Sequence, residues 1–195
     1  MGYRVVLASA SPRRKEILEQ VGVNFTCRTS KKEEVIKSTE PREAVQELAK
    51  AKAEDAAGFE QGAVLVIGAD TVVAYQGKIL GKPRDREDAV RMISSFAGDI
   101  HEVYTGVCLL IKEADGAEKT ICFAEKAEVE VYPMTDAEIQ AYADSKEPMD
   151  KAGAYAVQGL FAPYIKGISG DYYCIVGLPI AGIYQRLKQE GIFLF

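Results

Sequence analysis

The sequence has one histidine and four cysteines, and it contains no CxxC pair. A lone imidazole with no marked partners argues against Ser-His-Asp and Cys-His chemistry. His101 reads instead as a strand-end residue with a local hydrogen bond. Without CxxC, zinc-ribbon and thioredoxin chemistry lack their signatures. Cys27, Cys108, Cys122 and Cys174 are scattered. At least three of them sit in apolar, strand-like runs, the setting of buried reduced thiols. The phosphate-cradling pattern G-x-x-x-x-G-K-[ST] is missing too. Neither Gly77-Lys78 nor Gly81-Lys82 has the upstream glycine or the following hydroxyl, and no G-x-G-x-x-G opens a helix. No stretch approaches the roughly 20 apolar residues of a membrane helix. The N-terminal apolar run is too short for a signal peptide. Repeats, low-complexity tracts and Pro/Gly/Ser-rich linkers are absent. These absences predict one continuous domain, residues 1–195, in a reducing cytoplasm and off the membrane.

What is present is ordinary in amount. Of 195 residues, 48% are apolar and 27% charged, enough for one full hydrophobic core. The net charge of −5 disfavours a general affinity for nucleic-acid backbones. Arg4–Ala8 reads as a buried strand, and Ser11-Pro12 opens a helix ending at Gly22. A second helix is predicted from Pro41 to Ala57. Ala63–Ala69 reads as a strand buried on both faces and ending at Asp70. Gln76-Gly77 turns the chain back into a strand over Lys78–Leu80. Asp85 caps a helix that stops near Gly98. Val103–Ile111 alternates with period two, and Thr120–Val131 returns antiparallel. Thr135 with Glu138 forms a capping box. Tyr155–Leu160 and Tyr172–Val176 read as strands, and Pro179 starts a last helix. Crossovers and hairpins together give an α/β protein with a mixed sheet flanked by helices.

Several residues break local rules. Arg13 and Arg14 stand in the opening turn of the first helix, behind Ser9 and Ser11, where cations are mildly unfavourable. Such a helix start is either a solvated basic turn or an oxyanion trap. Lys52 falls on the apolar stripe of the second helix, from which a lysine can also snorkel. Asp70 closes a run of buried residues, where a carboxylate needs a cation, a metal or hydrogen-bond donors. Lys82, between Gly81 and Pro83, and the pair Asp150-Lys151 occupy charged loops. Glu33-Glu34 follows Lys31-Lys32 in what alone reads as a solvated charge run. Hard carboxylates suit Mg²⁺ or Mn²⁺ better than zinc. A set of cations with a few carboxylates fits phosphoryl transfer, which is mostly positioning and charge neutralisation.

At these positions the chain closely resembles the Maf family of nucleoside triphosphate pyrophosphatases. The resemblance runs through Leu7-Ala8-Ser9-Ala10-Ser11-Pro12-Arg13-Arg14, Leu48-Ala49-Lys50-Ala51-Lys52-Ala53 and Ile67-Gly68-Ala69-Asp70-Thr71-Val72-Val73. It continues in Leu80-Gly81-Lys82-Pro83, in Glu147-Pro148-Met149-Asp150-Lys151-Ala152-Gly153-Ala154-Tyr155 and in Val157-Gln158-Gly159. It implies a single domain with an elongated mixed sheet, similar to inosine triphosphate pyrophosphatases. It also implies hydrolysis of a nucleoside triphosphate to monophosphate and diphosphate with a divalent metal, Mg²⁺ or Mn²⁺. Asp70 matches the family's proton acceptor, and Glu34, Lys52 and Lys82 match its phosphate and metal site, with Asp70 and Glu34 on the metal. Ser9, Ser11, Arg14, Asp150 and Lys151 join the substrate-binding set. A homodimer is implied only by the resemblance.

Three positions point to the branch that acts on dTTP and UTP, which carries Arg, Thr and Gln where this chain has Arg13, Thr71 and Gln158. The branch acting on 7-methyl-GTP usually has an aromatic residue, Gln and Glu there. The resemblance also leaves open a non-catalytic nucleotide-binding regulator, because the family was first linked to inhibition of septum formation.

Overall fold

A computed structural model of the chain describes residues 2–30 and 38–194. The elements in chain order are β1 (Arg4–Leu7), α1 (Pro12–Gln20), β2 (Phe25–Cys27), α2 (Pro41–Ala57), β3 (Val64–Tyr75) and β4 (Lys78–Leu80). Then follow α3 (Arg86–Phe96), β5 (Ile100–Lys112), β6 (Glu118–Val131), α4 (Asp136–Asp144), β7 (Ile165–Gly170), α5 (Tyr172–Val176) and α6 (Ile180–Gln189). Short 3-10 turns at Glu147–Asp150 and Ala152–Ala154 bridge α4 to the loop before β7. The seven strands form one mixed sheet in the order β2-β1-β3-β5-β6-β7, with β4 added to β3. β1 runs parallel to both β2 and β3, while β3, β5 and β6 form a long antiparallel meander with β7 at its edge.

The local signals that set these elements are short-range and physical. Gln76 and Gly77 both have positive φ, 48° and 74°, as a two-residue hairpin between twisted strands requires. The Asp85 side chain accepts from Asp88 N at 2.7 Å at the start of α3. Thr135 and Glu138 complete their reciprocal capping box on α4. Pro12 opens α1 as expected, but the Ser11 side chain makes no cap bond.

β3 departs most usefully from its expected form. It does not stop at Asp70 but continues through Thr71-Val72-Val73-Ala74 to Tyr75, because this β-branched stretch pairs with β5 as far as Glu102. On its other edge β3 pairs with β1 only over Val64–Ile67 and with β4 only over Val73–Tyr75. Among the described residues, 68–72 therefore have no strand partner on that edge, and Asp70 sits in the gap.

Three further expectations are corrected. Tyr155–Leu160 is not a strand: Tyr155 and Ala156 pair with none and Val157–Leu160 is a turn, because Gly153 and Ala154 reverse the chain with φ of 67° and 60°. Tyr172–Val176 is α5: Asp171 accepts from Tyr173 N at 2.8 Å, and Gly177 ends the turn at φ 118°. Capping overrides β-rich composition there. β7, diluted by Lys166, Gly167 and Ser169, carries no clear alternation and was not expected. Two of the cysteines, Cys108 and Cys174, are buried, whereas Cys122 is half-buried and Cys27 exposed. The expectation of at least three buried thiols is too high by one, since Cys122 on β6 only packs against the margin of the cluster that buries Cys108.

Helix α2 lies across β3 and β5 at unusually close range. A Cβ on Gly68 would stand 2.2 Å from the Ala49 carbonyl oxygen, and one on Gly106 2.3 Å from that of Val45. Two glycines on neighbouring strands thus let the α2 backbone settle onto the sheet with its alanine face, Ala49, Ala53 and Ala56, against Val64 and Val66. Gly106→Ala is expected to destabilise the fold by about 1–3 kcal/mol, because a packed helix must shift to admit the methyl. A urea denaturation midpoint unchanged from wild type would show that α2 is not seated this tightly.

A separate cluster, including Ile93, Phe96, Val103 and Phe161, joins α3 and α4 to the other half of the sheet. His101 belongs to this region and is only 1% exposed. Its Nε2 lies 2.8 Å from the Tyr155 hydroxyl, so its partner is distant in sequence and not local as expected. Nδ1 has no hydrogen-bond partner among the described residues, so a proton there would bury an unsatisfied donor. Burial accordingly pushes the imidazole down from 6.5 to about 4. The unfolded chain takes up this proton as pH falls below 6.5 while the folded chain refuses it until about 4. Full stability is present above pH 6.5, and roughly 3 kcal/mol should be lost across that window. His101→Gln should flatten that part of the stability–pH curve in guanidinium titrations; an unaltered slope would assign it to other groups.

Candidate active site

The gap in the β3 edge opens into a cavity of about 720 Å³. Successive residues of a strand point to opposite faces, yet Asp70, Thr71, Val72 and Val73 all line this one cavity. The unpaired edge makes this possible, since the cavity wraps around the strand there. Four other segments converge on it. The β1–α1 turn brings Ser9, Ser11, Arg13 and Arg14; α2 brings Lys52; the loop after β4 brings Lys82. The turn after α4 brings Asp150 and Lys151, and Gln158 completes the wall. The two loops are fastened to each other by a bond from Gly153 N to the Gly81 carbonyl at 3.0 Å. Gly153 is required there, because its φ is positive and a Cβ would meet Val73 at 2.8 Å. All but one of the site residues expected from the sequence thus share one cavity. The exception, Glu34, lies outside the described residues, as does its neighbour Glu33.

The cavity is divided by chemistry. Among the described residues, five cations, Arg13, Arg14, Lys52, Lys82 and Lys151, line it with two carboxylates, Asp70 and Asp150. This local positive excess on a chain of net charge −5 favours an anionic ligand. Val73, Leu80, Val103, Tyr155 and Ile175 form an apolar wall in the same cavity. Sequence reasoning missed this wall, because each of its residues also fits an ordinary core pattern and only the gap exposes them.

Lys52 and Asp70 meet at 2.6 Å between Nζ and Oδ1, with side chains only 15% and 12% exposed. The close seating of α2 makes this pair possible. Asp70 Oδ2 has no hydrogen bond among the described residues and is left to hold a water or a cation. At the cavity mouth Lys151 bonds Asp150. That bond, with a smaller contribution from Arg13, holds the Asp150 carboxyl below the usual range.

Arg14 is 9% exposed and spans the floor. Its Nε donates to the Gly177 carbonyl at 2.8 Å, Nη1 to Ser9 Oγ at 3.0 Å and Nη2 to Thr71 Oγ1 at 3.1 Å. Thr105 spends its one hydroxyl hydrogen on the Cys174 carbonyl at 2.7 Å. The 2.8 Å contact between the two threonine hydroxyls therefore runs from Thr71 to Thr105. Thr105 was not expected in the site; the only sequence signal is its place beside Gly106 on an alternating strand.

No group of three or more His, Cys, Asp or Glu side chains that could hold a metal occurs among the described residues. A site for Mg²⁺ does not need one. This ion keeps several waters and binds through one or two carboxylates plus substrate phosphates, so Asp70 with a bound polyphosphate fits it. No helix among the described residues is long and apolar enough to cross a membrane. The arrangement can neutralise a polyphosphate and set a carboxylate beside it.

The Maf-like protein family model matches residues 4–190. A dTTP/UTP pyrophosphatase of Lachnoclostridium phytofermentans is 52% identical over 98% of both chains. One from Agathobacter rectalis is 50% identical, covering 97% of this chain and 98% of its own. Among solved structures, the Ham1 protein of Staphylococcus aureus aligns with a TM-score of 0.50 over 96% of this chain and 99% of that one. At 13% identity this last likeness speaks to the fold alone. On the match over nearly its whole length, the chain belongs to the Maf-like protein family.

Proposed function

We propose that this chain is a nucleoside triphosphate pyrophosphatase that takes dTTP and UTP to the monophosphate and diphosphate. The observation that carries the reading is the cavity that five cations among the described residues line together with a largely buried, Lys52-paired Asp70, in a chain half identical to proteins named for that activity. These relatives favour an enzyme over a non-catalytic septum regulator.

Asp70 takes a proton from water, whose oxygen attacks the α-phosphorus. The new O–Pα bond replaces the Pα–O bond to the β-phosphate, and diphosphate leaves with the electron pair. Lys52, Lys82 and Arg13 neutralise charge that grows on the leaving group, the largest kind of contribution in such reactions. A divalent cation, Mg²⁺ or Mn²⁺, held by Asp70 and the substrate phosphates, would supply further charge neutralisation.

The base choice rests on Gln158. A thymine or uracil edge offers two carbonyl acceptors flanking one N–H donor, and an amide both donates and accepts. Gln158→Glu is expected to erode the preference for dTTP and UTP over ATP and GTP by about 1–3 kcal/mol in kcat/KM. The proposal as a whole is tested by a nucleotide panel with Mg²⁺ in ¹⁸O-water. Label in the monophosphate and fastest turnover of dTTP and UTP are expected. Label confined to free orthophosphate would place attack at the γ-phosphorus and defeat the reading.

A further inference from the structure

The hydrogen bonds around Arg14 fix the roles of its neighbours. Ser9 Oγ accepts from Arg14 Nη1 at 3.0 Å and from the backbone N–H of Ser11 at 3.2 Å. A hydroxyl oxygen has two lone pairs and one hydrogen, so both of its acceptor positions are occupied. Its hydrogen has no acceptor among the described residues, although Ser9 is only 7% exposed and lines the cavity. The one direction left for that hydrogen is into the cavity.

We infer that Ser9 is a pre-aimed donor to a phosphate oxygen of the substrate, and that Arg14 is the positioning residue that aims it. A serine hydroxyl ordinarily rotates to suit its surroundings. Here two N–H groups fix it in the one role in which it can only donate. The guanidinium beside it also draws electron density from the oxygen and strengthens that donation. Arg14 thus acts through Ser9 and does not serve as a phosphate clamp in its own right. Its nitrogens are fanned over Gly177, Ser9 and Thr71, three groups on three different segments, so its orientation is set by the fold. Ser9 is not placed as a nucleophile, because no carboxylate or imidazole among the described residues accepts its hydrogen. Thr71 has the opposite polarity: its hydrogen is committed to Thr105, and it offers the cavity an acceptor only.

The inference deepens the proposed phosphate-binding reading and needs a test that separates the two. The probe is inorganic diphosphate with Mg²⁺, titrated calorimetrically into wild type, Ser9→Ala, Arg14→Lys and the double variant. Ser9→Ala should weaken binding about tenfold, the size of one charge-assisted hydrogen bond. Arg14→Lys keeps the charge but loses the fork and should weaken binding by a similar factor. The double variant should fall within about threefold of Ser9→Ala, because the second change removes nothing further. In nucleotide turnover the Ser9→Ala loss should appear in kcat, by about 10²–10³-fold, more than in KM. Independent losses that multiply to about a hundredfold would overturn the inference. So would wild-type affinity in Arg14→Lys, the behaviour of a simple point charge. If Arg14→Lys does not fold, Ser9→Ala decides alone, and binding within twofold of wild type refutes the donor. Should no nucleotide be hydrolysed while the diphosphate cycle holds, the proposed function fails and the Ser9–Arg14 assignment stands.

Discussion

Asp70→Asn is expected to fold as wild type does and to lose about 10²–10⁴-fold in kcat, the usual loss when a positioned base is removed. The amide oxygen can still accept from Lys52, so the 2.6 Å contact has a neutral counterpart. On the proposed mechanism, what disappears is the proton acceptor at the gap in β3 and the charge that would hold a cation there. Diphosphate release at saturating dTTP, beside a thermal melt, separates these consequences. A variant retaining more than half of the wild-type kcat would remove Asp70 from the chemistry.

Lys52→Met should cost both activity and stability, for different reasons. With the ammonium gone, about 10²–10³ in kcat/KM is expected to be lost, as when one preorganised electrostatic partner is deleted. The Asp70 carboxylate, 12% exposed, would then sit without its cation, at a cost of about 1–3 kcal/mol. Combining Lys52→Met with Asp70→Asn removes the orphaned charge. The double variant should therefore be more stable than Lys52→Met alone while remaining inactive. Urea titrations of the three variants check this, and a double variant less stable than Lys52→Met would mean that the ion pair is not what holds the two side chains together.

Much of the site was legible because its residues offend local rules. An aspartate after a buried run, a lysine on the apolar stripe of α2 and arginines at a helix start all call for an explanation that short-range structure does not supply. The elements easiest to read were those fixed within a turn or two. α2 spans Pro41–Ala57 as expected, and the Gln76-Gly77 hairpin and the Thr135 capping box depend on neighbouring residues only. The misread elements were decided elsewhere. β3 passes beyond Asp70 because β5 pairs with it there. Val157–Leu160 turns because Gly153 and Ala154 reverse the chain just before it. The local bond expected for His101 gave way to Tyr155, which lies across the core.

By itself the sequence determined the α/β class, most of the helices, and the inventory of cations and carboxylates that a polyphosphate site requires. It did so because periodicity, capping and turn chemistry are properties of adjacent residues, and because a misplaced charge is visible without knowing its partner. Only the tertiary structure decided that, among the described residues, the β3 edge has no partner over 68–72, so that both faces of one strand open into a single cavity. It also decided that α2 is seated by Gly68 and Gly106 close enough to bring Lys52 to Asp70, and that Arg14 spends its nitrogens on Ser9, Thr71 and Gly177. Each of these depends on the distance between segments far apart in the chain. The direction of a hydroxyl hydrogen depends in turn on which of its lone pairs those segments have already filled.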